Sequence, residues 1–363
     1  MFSAFCCGIL VILIAVCYSS IRIEKDNNGM QRKIKNKVYQ VKRCRKLNSK
    51  IRTKRRHRSR SLPSKSAFKR VVAPSVLSIF EETEDTLSFF DQVKHTISTC
   101  EKGNTIYFDL SEIEQISPDA IMYLIAIIKN NKKLRLHGIN CVGNLPKNEA
   151  ARNVFQQVGF LRFVEANISS IKTNTNYMKI ETGKKADGEL AGAFCRFTNG
   201  SENQTKATKQ LYRMLVELMT NTFQHAYNGE TIGTTSGMIS NWYLFAERHD
   251  DGVHFVFLDT GEGIPRTVAK RFLEKVADRF SFNSKDADYL MTALTGEYPR
   301  SETGQVYRGK GLPGIYEDCK AKKIDNLKII SCKAICTVSE GSVINCANLK
   351  PFFEGTLFSW RVV

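Results

Sequence analysis

The sequence predicts an α/β protein with about two folded domains, because two patterns follow one another along its 363 residues. Between residues 71 and 165, short apolar strands alternate with amphipathic helices, an order typical of helices packed over a shared sheet. Between residues 209 and 363, a long amphipathic helix is followed by a β-type run. Hydrophobic residues make up 42% and charged residues 25% of the chain. This composition excludes wholesale disorder and a polytopic membrane protein.

The positive charge of the chain is concentrated in its first 70 residues. The formal net charge is +18, and residues 1–70 contain 20 Lys and Arg against 2 Asp and Glu. Residues 71–363 contain 34 of each sign. We therefore expect a neutral folded body behind a strongly basic arm.

The first 21 residues contain no charged side chain. As a helix they would be about 31 Å long, which is enough to cross the hydrocarbon of a bilayer. Because the Lys and Arg excess follows this stretch, the positive-inside rule predicts a single-pass signal anchor with the rest of the chain in the cytoplasm. The alternative is a cytoplasmic protein that starts at Met30, behind an over-extended reading frame.

The segment 22–70 is polybasic and has few large apolar residues. It cannot bury enough surface to offset the entropy of ordering, so we expect disorder. Two partners suit its charge, an anionic membrane surface and nucleic acid, since both present phosphates. A solvated tail without a specific partner is the third reading.

The chain has 11 cysteines with irregular spacing. An odd number in a long chain favours reduced thiols in a cytosolic compartment over a disulfide scaffold. The close pair Cys332 and Cys336 is interpreted as buried strand residues.

Residues 71–165 predict an alternating module. Ser117 and Pro118 read as the N-cap and the first residue of one of its helices. The predicted strands are 76–80, 105–110 and 133–142, and the predicted helices are 86–97, 118–129 and 148–160.

This order of elements, together with the stretch DLSEIEQISPDA, resembles the sulfate transporter and anti-sigma antagonist (STAS) domain. The resemblance implies a docking domain for a protein partner. In that family a serine at the helix start can be phosphorylated, but here the matching position is Pro118. The phosphorylation therefore does not carry over, and capping is the expected role of Ser117.

Residues 166–208 are rich in small and polar residues and predict a linker with one hairpin. The helix predicted from 208 to 228 carries a polar stripe of Glu217, Asn221 and His225 at i, i+4 and i+8. Its apolar face comprises Leu211, Leu215, Leu218 and Thr222.

Two glycine-containing segments follow the helix. A β-type run ends in Asp259, followed by Gly261 and Gly263, which aims a carboxylate into a pocket beside backbone that can approach a ligand closely. Further on, Gly309, Lys310 and Gly311 directly precede a helix. Backbone N–H groups and a lysine at a helix start are suited to phosphate oxygens.

These segments resemble the GHKL superfamily, the ATPase fold of gyrase, heat-shock chaperones, histidine kinases and anti-sigma factor kinases. The matching stretches are ELMTNTFQHAY, DTGEGI, GKGLPGI and the pair Gly355-Thr356, in the family's order. The resemblance implies an α/β sandwich over 209–363 that binds ATP and Mg²⁺.

The resemblance also implies roles for individual residues. Asn221 would hold Mg²⁺, Glu217 would activate the attacking water or hydroxyl, and Asp259 would accept from the adenine amino group. His225 matches a polar position, with a purely structural histidine as the alternative. The other implied nucleotide contacts are Gly261, Gly263, Ile264, Gly309, Lys310, Gly311, Leu312 and Thr356. The stretch between Pro265 and Gly309 would form a lid over ATP, with Arg266, Lys270, Arg271, Arg300 and Arg308 as its cations.

The expected function is therefore a Mg²⁺-dependent ATPase switch that controls a protein partner through the STAS-like module. The alternatives are a serine/threonine protein kinase of the anti-sigma type and a nucleotide-binding scaffold without catalysis. A second copy of the chain is a further candidate partner.

Overall fold

The computed structural model describes residues 68–164, 175–199, 206–227, 238–275, 285–296, 311–339 and 343–362. The predicted anchor 1–21 and nearly all of the arm 22–70 lie outside the described residues. Among the helices that are described, none is long and apolar enough to cross a membrane. The described residues from Lys69 onward belong to one compact unit with a mixed α/β fold.

The N-terminal module contains a three-stranded sheet in the order β1-β3-β5, and a short parallel pair of β2 with β4. Strands β3 and β5 are parallel. The strands are β1 (Phe68–Val72), β2 (Val76–Leu77), β3 (Thr105–Asp109), β4 (Gln115–Ile116) and β5 (Asn140–Gly143). The helices are α1 (Thr83–Thr99), α2 (Pro118–Asn130), α3 (Lys132–His137) and α4 (Glu149–Gln157).

The predicted strand 133–142 is wrong over its first half, where the chain forms helix α3. The side chain of Asn131 caps this helix by accepting from the N–H groups of Lys133 at 2.9 Å and Leu134 at 3.2 Å. Gly138, with φ of 58°, ends it in the left-handed conformation. These two local signals outweigh the alternating apolar pattern of the segment.

Ser117 stands at the N-cap of α2 and Pro118 at its first turn, as predicted. The Ser117 hydroxyl, however, does not cap the helix, because it bonds the Asp119 carboxylate instead. The expected capping role of this side chain is therefore wrong. The helix start is fixed by backbone geometry and Pro118.

The second part of the chain is built on a five-stranded antiparallel sheet in the order β6-β7-β8-β10-β9. Residues 177–199, which fall in the predicted linker, form a strand and a helix of this layer. The strands are β6 (Tyr177–Gly183), β7 (Trp242–His249), β8 (Gly252–Asp259), β9 (Ile324–Ser339) and β10 (Val343–Val362). The helices are α5 (Gly188–Asn199), α6 (Lys206–Tyr227), α7 (Ile264–Lys275), α8 (Asp286–Thr295) and α9 (Gly311–Lys320).

The five-stranded sheet is covered on both faces. Trp242 and Leu244 lie in an apolar core with residues of helices α5, α6, α8 and α9. Tyr243 and Phe245, which point to the opposite face, lie in a second core with helix α2 of the N-terminal module. The order of layers is therefore helices, sheet, then module.

Aromatic stacking fixes the module against the sheet. The rings of Tyr123 in α2 and Phe353 in β10 are stacked with their centroids 4.5 Å apart, and both side chains are buried. The Tyr123 hydroxyl also accepts from the N–H of Glu354 at 3.2 Å. Ring packing and a satisfied hydroxyl together define one orientation of α2 on this face.

The antiparallel register of β9 and β10 sets Cys336 opposite Cys346, and these two residues form a disulfide. The expectation of reduced thiols is wrong at this pair, because strand pairing joins two cysteines that the sequence spacing does not connect. Cys332 is a free and buried strand residue, as predicted, and Cys336 is also buried.

Candidate functional site

The carboxylate of Asp259 lies at the end of β8, on the sheet face covered by helices. Asp259 pairs with Trp242 of β7 and with Thr356 of β10. Its oxygen Oδ1 accepts from the N–H of Gly261 at 2.9 Å. Burial raises the pKa of Asp259 to about 7, and hydrogen bonds from Gly261 and the Thr222 side chain oppose part of this rise. The site therefore holds a carboxylate that gains from any further hydrogen-bond donor.

Helix α6 has the predicted apolar face, and one of its residues reaches the Asp259 carboxylate. The predicted face residues Leu211, Leu215, Leu218 and Thr222 are all buried. Thr222, at the end of that face, donates its hydroxyl to the carbonyl of Leu218 at 3.2 Å and lies close enough to Asp259 to lower the pKa of that carboxyl. The side chain of His225 lies outside the described residues, so its role stays a prediction.

Glu217 and Asn221 of the same helix lie against the start of α9. A Cβ atom built on Gly311 would stand 2.7 Å from Glu217 Oε1 and 3.3 Å from Asn221 Nδ2. Only a residue without a side chain allows this approach. Burial raises the pKa of Glu217, and the nearby Arg213 opposes the rise. The predicted catalytic and metal residues are thus side by side at a helix N-terminus.

Two further glycines allow close packing, Gly263 against β9 and Gly355 against the end of β8. Gly263 has φ of 89°, and a Cβ there would lie 2.6 Å from the sulfur of Cys332. Gly355 has φ of 101°, and a Cβ there would lie 2.0 Å from the carbonyl oxygen of Asp259. Both positions favour glycine for conformation and for space.

Ser331 in β9 connects the predicted glycine segments and was not found from the sequence. Its buried hydroxyl accepts from the N–H of Ile264 at 3.0 Å and donates to the carbonyl of Gly355 at 2.9 Å. It also lies 2.9 Å from the Thr356 hydroxyl. A single serine inside an apolar strand carries no local signal of this role.

The predicted lid is described only in part. The Arg266 guanidinium stacks over the Phe352 ring at 4.5 Å, and Lys270 pairs with Glu262 at 2.7 Å. Arg300, Arg308, Gly309 and Lys310 lie outside the described residues, as does the side chain of Arg271. The phosphate-facing roles of these residues stay predictions. Leu312, in the first turn of α9, is partly buried and packs against the core under the helices.

No protein-family model matches the sequence, and no curated protein matches it. The possible chemistry of the site is therefore inferred from its own side chains. At one end of the group stands a hydrogen-bond-accepting carboxylate, Asp259. At the other end a half-buried carboxylate, Glu217, and a primary amide, Asn221, face a helix start. Among the described residues, no cluster of three or more His, Cys, Asp or Glu side chains is arranged to hold a metal ion.

Proposed function

We propose that the chain is a Mg²⁺-dependent ATPase of the GHKL type, whose nucleotide state controls a protein partner. One observation carries this proposal. Within two turns, helix α6 places Thr222 beside Asp259 and brings Glu217 and Asn221 against Gly311. A base-recognising carboxylate and a phosphate-facing helix start are the two ends that an adenine nucleotide needs. The GHKL resemblance of the same segments supports this reading.

Adenine fits Asp259 because its exocyclic amino group is a donor. The carboxylate already accepts from Gly261, and an ionised carboxylate has room for more donors. Guanine presents a carbonyl oxygen at the equivalent ring position, which would face the carboxylate as acceptor against acceptor. Leaving a buried polar group unpaired costs far more than a missing apolar contact. We therefore expect the site to bind ATP more tightly than GTP.

The start of α9 suits phosphate. The first N–H groups of a helix have no partner inside it, and the helix dipole favours negative charge there. The helix is ten residues long, and the missing side chain of Gly311 lets Glu217 and Asn221 approach its first turn closely. Lys310 directly precedes the helix in the sequence and is expected to add a positive charge.

Glu217 is the candidate general base. Burial raises its pKa, which brings the carboxylate closer to the strength needed to take a proton from water. Asn221, one turn later on α6, supplies an uncharged oxygen of the kind that Mg²⁺ accepts, beside nucleotide phosphates that would provide further oxygens. When bound, Mg²⁺ would neutralise phosphate charge. With Asn221 as the protein ligand, most of the oxygens around Mg²⁺ would come from the nucleotide.

The switch part of the proposal rests on the layer order. The proposed nucleotide site lies on the helix-covered face of the five-stranded sheet, and the STAS-like module packs on the other face through α2. A change in β8 or β10 on nucleotide binding therefore reaches the module directly. We propose that the protein partner docks on that module.

Nucleotide selectivity tests the proposal. We expect the full chain with Mg²⁺ to bind ATP at least about tenfold more tightly than GTP, because one matched and one mismatched hydrogen bond separate the two bases. Isothermal titration calorimetry with each nucleotide measures the ratio. ADP and GDP serve as controls that lack the terminal phosphate but keep the base. Equal affinities for ATP and GTP would remove Asp259 from its proposed role.

A pair of glycine variants in α9 tests the contact with Glu217. Gly311→Ala should slow ATP turnover by about tenfold or more, because the new methyl group displaces the Glu217 carboxylate from the helix start. The fold should survive, since a flexible side chain can move and alanine favours helix. Gly314→Ala is the matched control, because no atom lies within 4 Å of its Cβ position. Equal turnover in both variants would contradict the placement of Glu217.

A further inference from the structure

We infer that Asn130, the last residue of α2 in the N-terminal module, is a positioning residue for the base-binding carboxylate of Asp259. It acts through Thr260. This inference rests on the proposed function and deepens it, because it names the route by which the module controls nucleotide recognition.

The side chain of Asn130 bonds directly to the strand that ends in Asp259. Asn130 is 2% exposed, and its Nδ2 donates to the Thr260 hydroxyl at 3.2 Å. Its Oδ1 accepts from Asn241 Nδ2 at 2.9 Å and from the Tyr243 hydroxyl at 3.1 Å. The backbone carbonyl of Asn130 also accepts from the N–H of Ile239 at 3.0 Å. A residue that only capped the end of α2 would need no side-chain hydrogen bonds to the sheet layer, yet Asn130 makes three.

The Thr260 hydroxyl has hydrogen-bond partners on both its donor and its acceptor side. It accepts from Asn130 and from the backbone N–H of Asn241 at 2.9 Å, and it donates toward the carbonyls of Ile239 at 2.9 Å and Asn241 at 3.1 Å. A hydroxyl has one proton and two lone pairs, so these partners use its full capacity. Thr260 is 3% exposed, and no water is needed to complete the set.

Asp259 and Thr260 are consecutive residues at the end of β8, and their side chains lie on opposite sides of the sheet. Asp259 lies beside Thr222 in the helical layer, and Thr260 bonds Asn130 in the module. Fixing Thr260 therefore fixes the peptide plane from which the Asp259 carboxylate extends. The carboxylate in turn bonds the N–H of Gly261, so the whole turn is defined from the module side.

A buried polar network restricts its members to the geometry that satisfies most of them, and among the side-chain atoms of this network only Asn241 Oδ1 is without a partner. Apolar side chains would hold α2 on the sheet equally well, as Tyr123 and Phe353 do nearby. The side-chain amide of Asn130 adds hydrogen bonds, which depend on direction and therefore orient Thr260 as well as holding α2 on the sheet. By linkage, a ligand that favours this geometry at Asp259 also favours the docked position of α2.

The test is the ratio of ATP to GTP affinity in the full chain with Mg²⁺. We expect Asn130→Ala to lower this ratio about tenfold, the effect of losing one aligned hydrogen bond. Thr260→Val removes the hydroxyl at nearly constant shape and should lower it equally, while Thr260→Ser should keep it. The double variant of Asn130→Ala and Thr260→Val should be no worse than either single one, because both act on one path.

Tyr123→Phe is the matched control, since it removes a hydrogen bond of the same module to β10 and leaves the Thr260 network intact. Its ratio should equal that of the original chain. A merely structural role for Asn130 would change thermal stability in both variants and leave the ratio unchanged in both. That result overturns the inference.

If Asn130→Ala fails to fold, Thr260→Val and Thr260→Ser decide the question, because they keep Asn130 in place. An unchanged ratio in Thr260→Val then overturns the inference. An original chain that binds ATP and GTP equally overturns the proposed function, and this inference with it. The two failures are therefore distinguishable.

Discussion

Replacing Glu217 by glutamine should leave ATP bound but lower its turnover at least about 100-fold, the usual contribution of a general base. Glutamine keeps the size and the hydrogen bonds of the side chain but cannot take a proton. Steady-state turnover and the dissociation constant for ATP, measured on the same preparation, separate the two effects. Adding γ-labelled ATP to the original chain should release free phosphate, whereas label retained on protein would favour the kinase alternative.

Asn221→Ala is the companion variant for this prediction. It lies one turn from Glu217 on α6, and its loss should weaken Mg²⁺-dependent nucleotide binding itself. A Glu217→Gln chain that hydrolyses ATP at the original rate would contradict the general-base role and favour a scaffold without catalysis. We expect Glu217→Gln to lower the turnover rate and Asn221→Ala to weaken nucleotide binding, and this contrast tests the two proposed roles.

Replacing Asp259 by asparagine should have two opposite effects. ATP affinity should fall about tenfold or more, because the amide can turn a donor toward the adenine donor. The chain without nucleotide should become more stable above neutral pH. Burial raises the pKa of Asp259 to about 7, so the ionised form is disfavoured in the folded state. Thermal unfolding with and without ATP, from pH 5 to pH 8, measures both effects.

The sign of this stability effect follows from proton linkage. Below the ordinary aspartate pKa of about 4, folded and unfolded chains are both protonated. Between that value and about 7 the folded state holds the proton more tightly, so the stability of the original chain falls as pH rises. Asparagine does not titrate, and its advantage should therefore grow with pH, up to about 4 kcal/mol at pH 8.

Asp251→Asn is the control, because its expected effect on the stability of the chain has the opposite sign. Hydrogen bonds from Arg361 and His254 lower the pKa of Asp251 to about 2. Its ionised form is favoured in the folded state, so the replacement should slightly destabilise the chain at neutral pH, with the difference lost in acid. An Asp259→Asn chain that loses stability at pH 8 as Asp251→Asn does would show that burial is not the dominant influence on Asp259.

Elements with a continuous local pattern were predictable from the sequence. The apolar face of α6, strand β8 and the start of α2 at Pro118 each depend on residues within a few positions of one another. Segment 133–142 was misjudged, because alternating apolar residues satisfy a strand pattern while Asn131 and Gly138 delimit a short helix. Predicted strand 76–80 is ordered as a strand only at Val76–Leu77, and β1 begins at Phe68, inside the predicted arm.

The residues of the candidate site also differ in how far the sequence alone can predict them. Glu217, Asn221, Asp259 and Gly311 are predicted from the spacing within short segments and from the GHKL resemblance, and their roles stay predictions. Ser331 and Asn130 are not, since each acts through contacts with residues far along the chain. Asn130 is separated from Thr260 by 130 positions. A lone buried polar residue in an apolar element has no sequence signature, and only the packed structure shows what it bonds.

The stacking of Tyr123 on Phe353 has a consequence for biosynthesis. The two residues that complete this interface are translated about 230 positions apart, as the bond from Glu354 to Tyr123 also shows. At about 5–20 residues per second, the ribosome needs roughly 10–50 s to supply β10 after α2 has emerged. During that interval the apolar side of α2 that later meets the sheet has no β10 to cover it. A nascent chain of this length therefore offers a binding surface to ribosome-associated chaperones, and premature termination before residue 343 would leave the part of α2 that Phe353 covers exposed.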